Sequence, residues 1–237
     1  MALLSKINTT TIPKHIGIIM DGNSRWAKAR GKAQTAGHIE GLNAAKRVVK
    51  AAADLGIKYI TLYTFSTENW RRTEEEVKFL MRLIAKHLRK EWSFYFDNKI
   101  RVRHNGDLER LPDYVRKEIL DVTEKTAHFQ DTTVMLAINY GGRDEIVRAV
   151  KKMVARGYVN GSINEETIKD YLDIPDVPDP DLIIRTGGYQ RLSNFLIWQC
   201  AYAELFFSET YWPDYNQEDL YGAILDYQTR KRNFGGR

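Results

Sequence analysis

The sequence predicts a single α/β domain, with a largely parallel central sheet and helices on both faces of that sheet. The first observation is that apolar runs of strand length alternate with helix-patterned segments along the whole chain. The second is the run at residues 16–20, which has no polar alternation and is therefore typical of a strand buried on both faces. The third is that polar residues follow the strand ends, where open α/β sheets bind their ligands.

Each element has its own local signal. Helical spacing begins at Asn23 and again near Gly37, and Gly56 ends the second helix. A polar loop is predicted at residues 66–72. The predicted strands lie at residues 16–20, 59–65, 100–104, 133–138 and 182–184, followed by a further apolar segment at 205–207. The predicted helices lie at residues 23–29, 37–54, 74–96, 112–128, 144–155, 165–172, 193–198 and 217–230.

The segment at residues 74–96 predicts one long helix with an unusually wide apolar surface. Val77, Leu80 and Ile84 keep a helical spacing. Phe79 and Leu83 extend the apolar surface beyond one stripe. A helix packed on two sides explains this pattern, and a helix that lines a lipid-binding space is the alternative.

Length, charge and cysteine content limit the class of protein. The chain has 237 residues, enough for one large α/β domain over residues 15–237 after an N-terminal extension at 1–14. Its net charge of +5 favours anionic partners only weakly and does not by itself indicate nucleic acid. The single cysteine, Cys200, excludes an intrachain disulfide and fits a reducing compartment. We find no signal peptide and no run near the ~20 apolar residues that span a bilayer, so we expect a cytoplasmic protein.

The end of the first strand carries a candidate anion site. Asp21 would stand at the carboxyl end of that strand, and Gly22 lets the backbone turn there. Asn23 can cap the following helix, and Arg25 offers a fork matched to phosphate oxygens. An acid beside phosphate-binding donors indicates a divalent cation between them. A strand that ends in a capped turn, without ligand, is the structural alternative.

Polar residues follow the other strands as well. Because the carboxyl ends of parallel strands share one edge of the sheet, we expect these side chains to converge on an anion site. The converging set comprises Asp21, Ser66, Glu68, Asn69, Asn105, Asn139 and Arg185.

Several common site types are absent from the sequence. It has neither of the glycine-rich motifs that cradle nucleotides, no Cys/His cluster for zinc and no Gly-x-Ser-x-Gly elbow. Prolines interrupt the run of Asp176, Asp179 and Asp181, so we interpret these aspartates as facing water rather than as metal ligands.

Longer motifs occur in order along nearly the whole chain. They are Met20-Asp21-Gly22-Asn23, Arg25-Trp26-Ala27, Gly37-His38, Tyr63-Thr64-Phe65-Ser66-Thr67-Glu68-Asn69-Trp70, Asn139-Tyr140-Gly141-Gly142-Arg143, Ile184-Arg185-Thr186-Gly187-Gly188, Gln190-Arg191-Leu192-Ser193-Asn194-Phe195-Leu196, Ala201-Tyr202-Ala203-Glu204-Leu205 and Trp212-Pro213-Asp214. In these motifs the chain resembles the cis-prenyltransferase family, with the bacterial undecaprenyl diphosphate synthases as the most similar group.

The resemblance implies an activity and its partners. Isopentenyl diphosphate would be condensed onto an allylic diphosphate, farnesyl diphosphate above all, with each new double bond cis. The implied product is a long-chain polyprenyl diphosphate, undecaprenyl diphosphate, which serves as the cell-wall lipid carrier. A hydrophobic tunnel for the growing chain, with residues 74–96 as one wall, a homodimer, and transient peripheral association with the membrane through the lipid product are also implied. No nucleic-acid partner is expected.

The resemblance also implies roles for individual residues. Mg²⁺ would be held by Asp21, which is also catalytic, and by Glu204, while Asn69 would help to remove the proton after condensation. The residues implied at the allylic diphosphate are Gly22, Asn23, Arg25 and His38. Those implied at isopentenyl diphosphate are Arg185, Arg191 and Ser193. Those implied in a mobile loop over the reacting carbons are Ser66, Glu68, Asn69, Trp70 and Arg72. Further substrate-binding residues implied by the resemblance are Ser24, Trp26, Thr67 and Leu192.

Some positions depart from the family pattern. Gln34 stands where an arginine is usual, Ser24 replaces a glycine, Tyr189 a glutamate and Asn233 an arginine. Thr64 is small compared with the residue that short-product relatives carry, which favours a long product.

Three alternatives remain at this point. The first is a shorter-chain or unusual cis-prenyl diphosphate synthase. The second is a non-catalytic partner subunit, although such subunits lack the acid that Asp21 provides here. The third is a nucleic-acid-binding domain, which would rest on net charge and exposed-looking aromatic residues alone.

Overall fold

The computed structural model describes residues 3–159 and 162–233 and confirms the α/β fold. Its core is a six-stranded sheet with the strand order β3-β4-β2-β1-β5-β6, in which every neighbouring pair is parallel. The strands are β1 (His15–Ile19), β2 (Tyr59–Ser66), β3 (Ile100–Asn105), β4 (Thr132–Tyr140), β5 (Leu182–Arg185) and β6 (Glu204–Phe207).

Helices follow the strands in the predicted alternation as far as β5, whereas no helix lies in the described residues between β5 and β6. They are α1 (Asn23–Ala29), α2 (Gln34–Asp54), α3 (Glu74–Lys90), α4 (Trp92–Asp97), α5 (Asp113–Thr126), α6 (Gly142–Ala155), α7 (Glu165–Asp170) and α8 (Gln217–Thr229). Short 3₁₀ helices occur at Leu4–Lys6, Thr67–Arg71 and Trp212–Asp214. Within the described residues, no helix combines the length and apolar character that crossing a membrane requires.

Both faces of strand β1 are buried. Ile16 and Ile18 of β1 pack into the main apolar core, together with buried residues of α2, α3, α5 and α8. Ile19 belongs to a second apolar cluster on the other face, which includes Phe195 and Leu196. Because side chains alternate across a strand, a strand buried on both faces has to be apolar throughout. The continuous apolar run that begins the domain therefore has the predicted structural cause.

Residues 193–198 do not form the predicted helix, and this prediction is wrong. Ser193, Asn194 and Leu196 have φ values of 49°, 65° and 46°, which a right-handed helix excludes. The amide of Gly142 donates to the Asn194 carbonyl at 2.7 Å, and the amide of Arg143 donates to its side-chain oxygen at 2.9 Å. The segment is thus a series of turns whose polar groups bind the start of α6.

The predicted single helix at 74–96 is two helices. Its backbone departs from helical geometry at Glu91, where φ is −89° and ψ is 21°, and α4 begins immediately afterwards. The Glu91 carboxylate lies 2.6 Å from Nζ of Lys46 on α2. The apolar spacing continues across this break, so the sequence pattern does not reveal it. The predicted loop at 66–72 also differs, because most of it is the 3₁₀ helix Thr67–Arg71.

Helices α1 and α2 pack closely because glycine faces the contact. A Cβ at Gly37 would lie 2.1 Å from the Asn23 carbonyl oxygen, and a Cβ at Gly41 would lie 2.6 Å from the Asn23 side-chain oxygen. Gly222, inside α8, has no heavy atom within 4 Å of an added Cβ.

We expect Gly37→Ala to lower the free energy of unfolding by about 1–3 kcal/mol, because backbone atoms of α1 have to move. Gly222→Ala is the matched control, and there alanine is expected to stabilise the helix by about 0.5–1 kcal/mol. Urea unfolding followed by circular dichroism measures both changes. Equal stability of the two variants would contradict the packing argument.

Candidate active site

The candidate active site lies at the carboxyl ends of β1 and β5, where the strand order changes direction. From β1 the chain runs to β2 and β3 on one side of the sheet, and after β4 it crosses to β5 on the other side. Such a switch point leaves a crevice beyond the strand ends. Asp21 follows β1 by two residues, and Arg185 is the last residue of β5. Their side chains meet in this crevice.

The carboxylate of Asp21 is held between two guanidinium groups. Its Oδ1 lies 3.0 Å from Nη2 of Arg25, and its Oδ2 accepts a 2.9 Å hydrogen bond from Nη2 of Arg185. The Thr186 hydroxyl fixes the backbone, since it accepts from the Asp21 amide at 3.0 Å and donates to the Asp21 carbonyl at 2.7 Å. The position of the carboxylate is therefore determined from both its side chain and its main chain.

Arg185 has donors left over for a ligand. Its side chain is only 5% exposed. One Nη donates to the Ser193 hydroxyl at 2.7 Å and to the Arg191 carbonyl. Among the described residues, its buried Nε has no hydrogen-bond partner. A buried cationic donor without a partner is costly, and an anion in the crevice would satisfy it.

The turn after Asp21 depends on Gly22. Its φ is 113°, and a Cβ there would lie 2.8 Å from the Tyr211 ring. Gly22 is the N-cap of α1, so the prediction that Asn23 caps this helix is wrong. Asn23 is instead the first helical residue, and its side chain lines the apolar cavity described below.

A polar pocket surrounds Asp21 and Arg185. Its lining residues are Ile19, Met20, Asp21, Tyr63, Ser66, Glu68, Asn69, Arg72, Arg185, Tyr189, Arg191, Ser193 and Asn194. The predicted convergence is thus correct for Asp21, Ser66, Glu68, Asn69 and Arg185. It is wrong for Asn105 and Asn139, because β3 and β4 extend further than predicted and include these two residues.

Asn139 has a structural role at this edge of the sheet. Its side-chain oxygen accepts a 2.7 Å hydrogen bond from the indole of Trp70, and its amide group donates to the Asp107 carbonyl at 2.8 Å. Trp70 also lies edge-on against Phe65, with 5.1 Å between the ring centroids. A residue expected in the site therefore anchors the 3₁₀ helix beside the site.

The 3₁₀ helix is fixed at other points as well. The Asn69 side-chain oxygen accepts from the Ser66 amide at 3.1 Å. The Asn194 side chain donates to Glu68 at 2.8 Å. Burial alone would raise the pKa of Glu68, but the hydrogen bonds that it accepts, from Asn194 above all, outweigh burial and lower it. Glu68 is therefore an anion at neutral pH.

Glu76 gathers several polar side chains of the site. Its Oε1 accepts from Arg72 at 2.7 Å and from Gln34 at 3.0 Å, and lies 3.7 Å from Nε2 of His38. The Gln34 amide also donates to the Ser24 hydroxyl at 2.8 Å, so these two departures from the family pattern contact each other. Burial, and next the charge of Arg72, lower the pKa of His38. His38 is consequently neutral at pH 7.

An apolar cavity adjoins the polar pocket, and Met20 and Tyr63 line both. Water-sized spheres can occupy about 100 Å³ of it. Its remaining lining residues are Asn23, His38, Gly41, Leu42, Ala45, Lys46, Val49, Leu62, Thr64, Leu80, Leu83, Ile84, His87, Leu88, Phe94, Tyr95, Val134, Leu136, Ile138 and Trp212. Helix α3 thus contributes its wide apolar surface to a cavity wall as well as to the core.

Polar side chains also reach this cavity at α2 and α3. Lys46 pairs with Glu91 at 2.6 Å, and Nδ1 of His87 lies 4.0 Å from the same carboxylate. Burial lowers the pKa of His87 to about 4, although the charge of Glu91 opposes this shift. His87 is therefore a neutral, buried imidazole at pH 7.

Several predicted substrate-binding residues have mainly structural contacts. The Trp26 indole donates to Asp214 at 2.6 Å. Leu192 packs against the second apolar cluster. The Thr67 hydroxyl donates to Glu68 at 3.3 Å. These residues support the site without facing the polar pocket.

Glu204, predicted as a metal ligand, lies far from Asp21 within this chain. It is the first residue of β6 and pairs with Leu182 at the start of β5, whereas the site lies at the end of β5. Three residues of strand separate the start of β5 from its end, a distance of roughly 10 Å. The Glu204 carboxylate accepts a 2.9 Å hydrogen bond from Arg230.

Sequence reasoning did not assign to the site the lining residues Ile19, Met20, Tyr63, Tyr189 and Asn194, or Thr186, which fixes the backbone of Asp21. Four of them (Met20, Tyr63, Thr186 and Asn194) stand in motifs quoted above, but nothing in a linear motif distinguishes a site residue from its neighbours. Tyr189 is a departure from the family pattern, and it is the one position whose unusual side chain was a visible signal.

The donor set fits Mg²⁺ bound together with a substrate. Within residues 3–159 and 162–233, no group of three or more His, Cys, Asp or Glu side chains is arranged to hold a metal. Mg²⁺ is often held by one or two carboxylates together with substrate phosphates and water. Asp21, beside arginines suited to phosphate, matches that arrangement. The aspartates at 176, 179 and 181 are instead paired with Arg103, Lys169 and Arg232.

Comparison with known proteins identifies what this architecture resembles. A family model described as "Putative undecaprenyl diphosphate synthase" matches residues 19–235. An isoprenyl transferase of Treponema denticola is 56% identical over 222 residues, which cover 94% of this chain and 97% of that protein. The farnesyl-diphosphate-specific ditrans,polycis-undecaprenyl-diphosphate synthase of Micrococcus luteus is 46% identical over 237 residues, covering 98% and 95% of the two chains.

Solved structures share the fold. Lavandulyl diphosphate synthase from Lavandula x intermedia, in complex with dimethylallyl diphosphate, matches with a TM-score of 0.91 and 36% identity, covering 95% of this chain and 99% of that one. A probable undecaprenyl diphosphate synthase of Campylobacter jejuni matches with a TM-score of 0.80 and 37% identity, covering 94% and 99%.

We expect the buried His87 to make stability depend on pH. Its pKa of about 4 in the folded state lies below the 6.5 of an ordinary histidine, so between these values the unfolded chain binds more protons. The free energy of unfolding should therefore fall as the pH drops from 6.5 to 4, by up to about 3 kcal/mol from this residue. In His87→Leu, urea unfolding at pH 7 and pH 4 should show a loss smaller by that amount. An unchanged pH dependence would contradict the expectation.

Proposed function

Since this chain belongs to the undecaprenyl diphosphate synthase family, we propose that it condenses isopentenyl diphosphate onto an allylic diphosphate to make a long cis-polyprenyl diphosphate. The proposed primer is farnesyl diphosphate, and the proposed product is undecaprenyl diphosphate. The name of the Micrococcus luteus relative supports both assignments.

The observation that carries this proposal is the junction of two unlike cavities. An arginine-lined pocket and an apolar cavity share Met20 and Tyr63. A prenyl diphosphate has a doubly charged head and a hydrocarbon tail. Its charged head would bind on the polar side of the junction while its tail enters the apolar cavity.

The arginines account for binding and orientation of the diphosphates. Arg185, held by Asp21 and Ser193, presents its unpartnered Nε to an anion. Guanidinium groups bind phosphate oxygens in pairs of parallel hydrogen bonds, which fixes the direction of the head group. We propose that Arg185, Arg191 and Ser193 bind isopentenyl diphosphate and that Gly22, Asn23, Arg25 and His38 bind the allylic diphosphate.

Asp21 is the proposed ligand for Mg²⁺. When bound, the ion would stabilise the charge that develops on the leaving diphosphate. The two arginines that hold Asp21 would then be available for phosphate oxygens. Glu204 remains the second predicted ligand, and that role requires its carboxylate to leave Arg230.

The 3₁₀ helix beside the pocket carries Asn69, the residue proposed to assist proton removal. Asn69 lines the pocket, and its side chain caps the helix by accepting from the Ser66 amide. We propose that Asn69 helps to remove the proton after condensation, and that Ser66, Glu68, Trp70 and Arg72 move with it over the reacting carbons. Trp70 would release Asn139 in that movement.

The growing chain would enter the apolar cavity. Burial of each CH₂ contributes roughly 0.8 kcal/mol, so each isoprene unit adds a few kcal/mol. The cavity volume is about 100 Å³, so we propose that the cavity widens as a long chain enters. We also propose a homodimer, and transient association with the membrane through the product.

A shorter-chain synthase is the second candidate. The small cavity and the close likeness to lavandulyl diphosphate synthase favour it. The length of the product decides between the two.

We expect Asp21→Ala to lower condensation at least about a hundredfold, because the proposed metal ligand is lost. The assay uses labelled isopentenyl diphosphate, farnesyl diphosphate and Mg²⁺. Asp121→Ala, on the exposed side of α5, is the matched control and should keep full activity. Thermal unfolding of both variants separates loss of chemistry from loss of the fold. Full activity in folded Asp21→Ala would contradict the proposal.

We expect Thr64→Phe to shorten the product, because Thr64 lines the cavity and a larger ring would block it. Thr64→Val, which keeps the shape of the side chain, should leave product length unchanged. Chromatography of the dephosphorylated products measures both. An identical length distribution in Thr64→Phe would mean that the chain does not grow through this cavity.

A further inference from the structure

The ring of Tyr189 is surrounded by three guanidinium groups. Its centroid lies 4.3 Å from the guanidinium carbon of Arg191, 4.4 Å from that of Arg25 and 5.7 Å from that of Arg185. Cations within about 6 Å of a ring centroid are attracted by the negative face of an aromatic ring. All three therefore lie in the range of a cation–π interaction.

Of the three guanidinium groups, that of Arg191 depends most on the ring, because Arg25 also donates to the Gly187 carbonyl at 2.6 Å and Arg185 to the Ser193 hydroxyl at 2.7 Å. Asp21 pairs with Arg25 and Arg185. Within the described part of the chain, the guanidinium group of Arg191 forms no hydrogen bond or ion pair with another residue, and the Tyr189 ring is the contact it has. Three like charges at one ring repel each other, and without the ring the guanidinium group of Arg191 would be the one free to turn toward solvent.

An aromatic ring and a carboxylate would solve this problem differently. A carboxylate attracts guanidinium groups because its negative charge offsets one of their positive charges. The pocket then attracts an anion less strongly. A ring attracts them through its quadrupole and leaves their charge intact. The three guanidinium groups around the ring thus keep their charge beside the carboxylate of Asp21, in a pocket whose lining also includes Arg72 and Glu68.

The backbone fixes the ring at this point. Gly187 and Gly188 have φ values of 81° and 82°, which bring residue 189 back over the strand end. Their amides donate to the carbonyls of Thr210 at 2.8 Å and Ser208 at 2.9 Å. The Tyr211 ring, 5.2 Å from Arg25, holds that guanidinium group from a second side.

We propose that Tyr189 is a positioning residue, whose ring collects Arg25, Arg185 and Arg191 into a preorganised receptor for the diphosphate groups. This inference rests on the proposed function for the identity of the natural ligands. The ring acts through the arginines and not on the reacting carbons. Its loss should thus weaken binding of diphosphates and leave the chemical step little changed.

The test compares Tyr189→Leu, which removes the ring, with Tyr189→Phe, which removes only the hydroxyl. Titration calorimetry with inorganic pyrophosphate measures binding directly. Steady-state kinetics with isopentenyl and farnesyl diphosphates separates KM from kcat. Tyr114→Leu, on α5, is the control because its side chain is 44% exposed and that of Tyr189 is 42% exposed.

In Tyr189→Leu we expect pyrophosphate binding to weaken about three- to tenfold, with a similar rise in KM and a kcat within about twofold of the original. Tyr189→Phe and Tyr114→Leu should match the unaltered protein. Unchanged binding in Tyr189→Leu overturns the inference. An equal loss in Tyr189→Phe also overturns it, because the hydroxyl and not the ring would then be responsible.

The two proposals fail in different ways. If the unaltered protein binds pyrophosphate but forms no polyprenyl diphosphate, the proposed function fails. The binding comparison then still tests whether the Tyr189 ring positions the arginines. If condensation proceeds but Tyr189→Leu binds normally, only the inference about Tyr189 fails. If the unaltered protein does not bind pyrophosphate, the receptor itself is refuted.

Discussion

The charge balance around Asp21 is the constraint on which the rest of the site depends. One carboxylate lies between Arg25 and Arg185, and Arg185 is almost fully buried at the end of β5. A buried guanidinium group requires a partner, and Asp21 provides one. The geometry of the site therefore depends on this ion pair.

The fold supplies this geometry through two central strands. The chain leaves β1 on one side of the sheet and returns to β5 on the other, so residues more than 160 positions apart meet beyond the strand ends. Glycine at positions 22, 37 and 41 lets the following helices approach closely enough to close the crevice. The Thr186 hydroxyl, which bonds both main-chain groups of Asp21, joins the two strand ends into one rigid unit.

The polar and apolar cavities have to be understood together. Met20 and Tyr63 line both cavities. Mostly polar and charged side chains line one of them, and mostly apolar side chains line the other. Helix α3 serves both the core and the cavity, which explains why its apolar surface exceeds one stripe. The ion pair of Lys46 with Glu91, at the break between α3 and α4, brings charge to a cavity that is otherwise mostly apolar. Burial in this setting also keeps His87 neutral.

The sequence by itself determined the parallel α/β fold, the position of Asp21 at a strand end and the convergence of Ser66, Glu68, Asn69 and Arg185 with it, because apolar periodicity and strand-end polarity are local properties. Arg72, Arg191 and Ser193 were expected at the site from the family resemblance and not from a local pattern. Tertiary structure decided the rest. Residues 193–198 form turns instead of a helix because Asn194 binds the start of α6, and the predicted long helix breaks at Glu91, where that residue reaches Lys46. Asn139 supports Trp70 instead of facing the pocket, and Glu204 lies with Arg230 at the distant end of β6. Each of these outcomes depends on a partner remote in sequence, and no local pattern encodes such a partner.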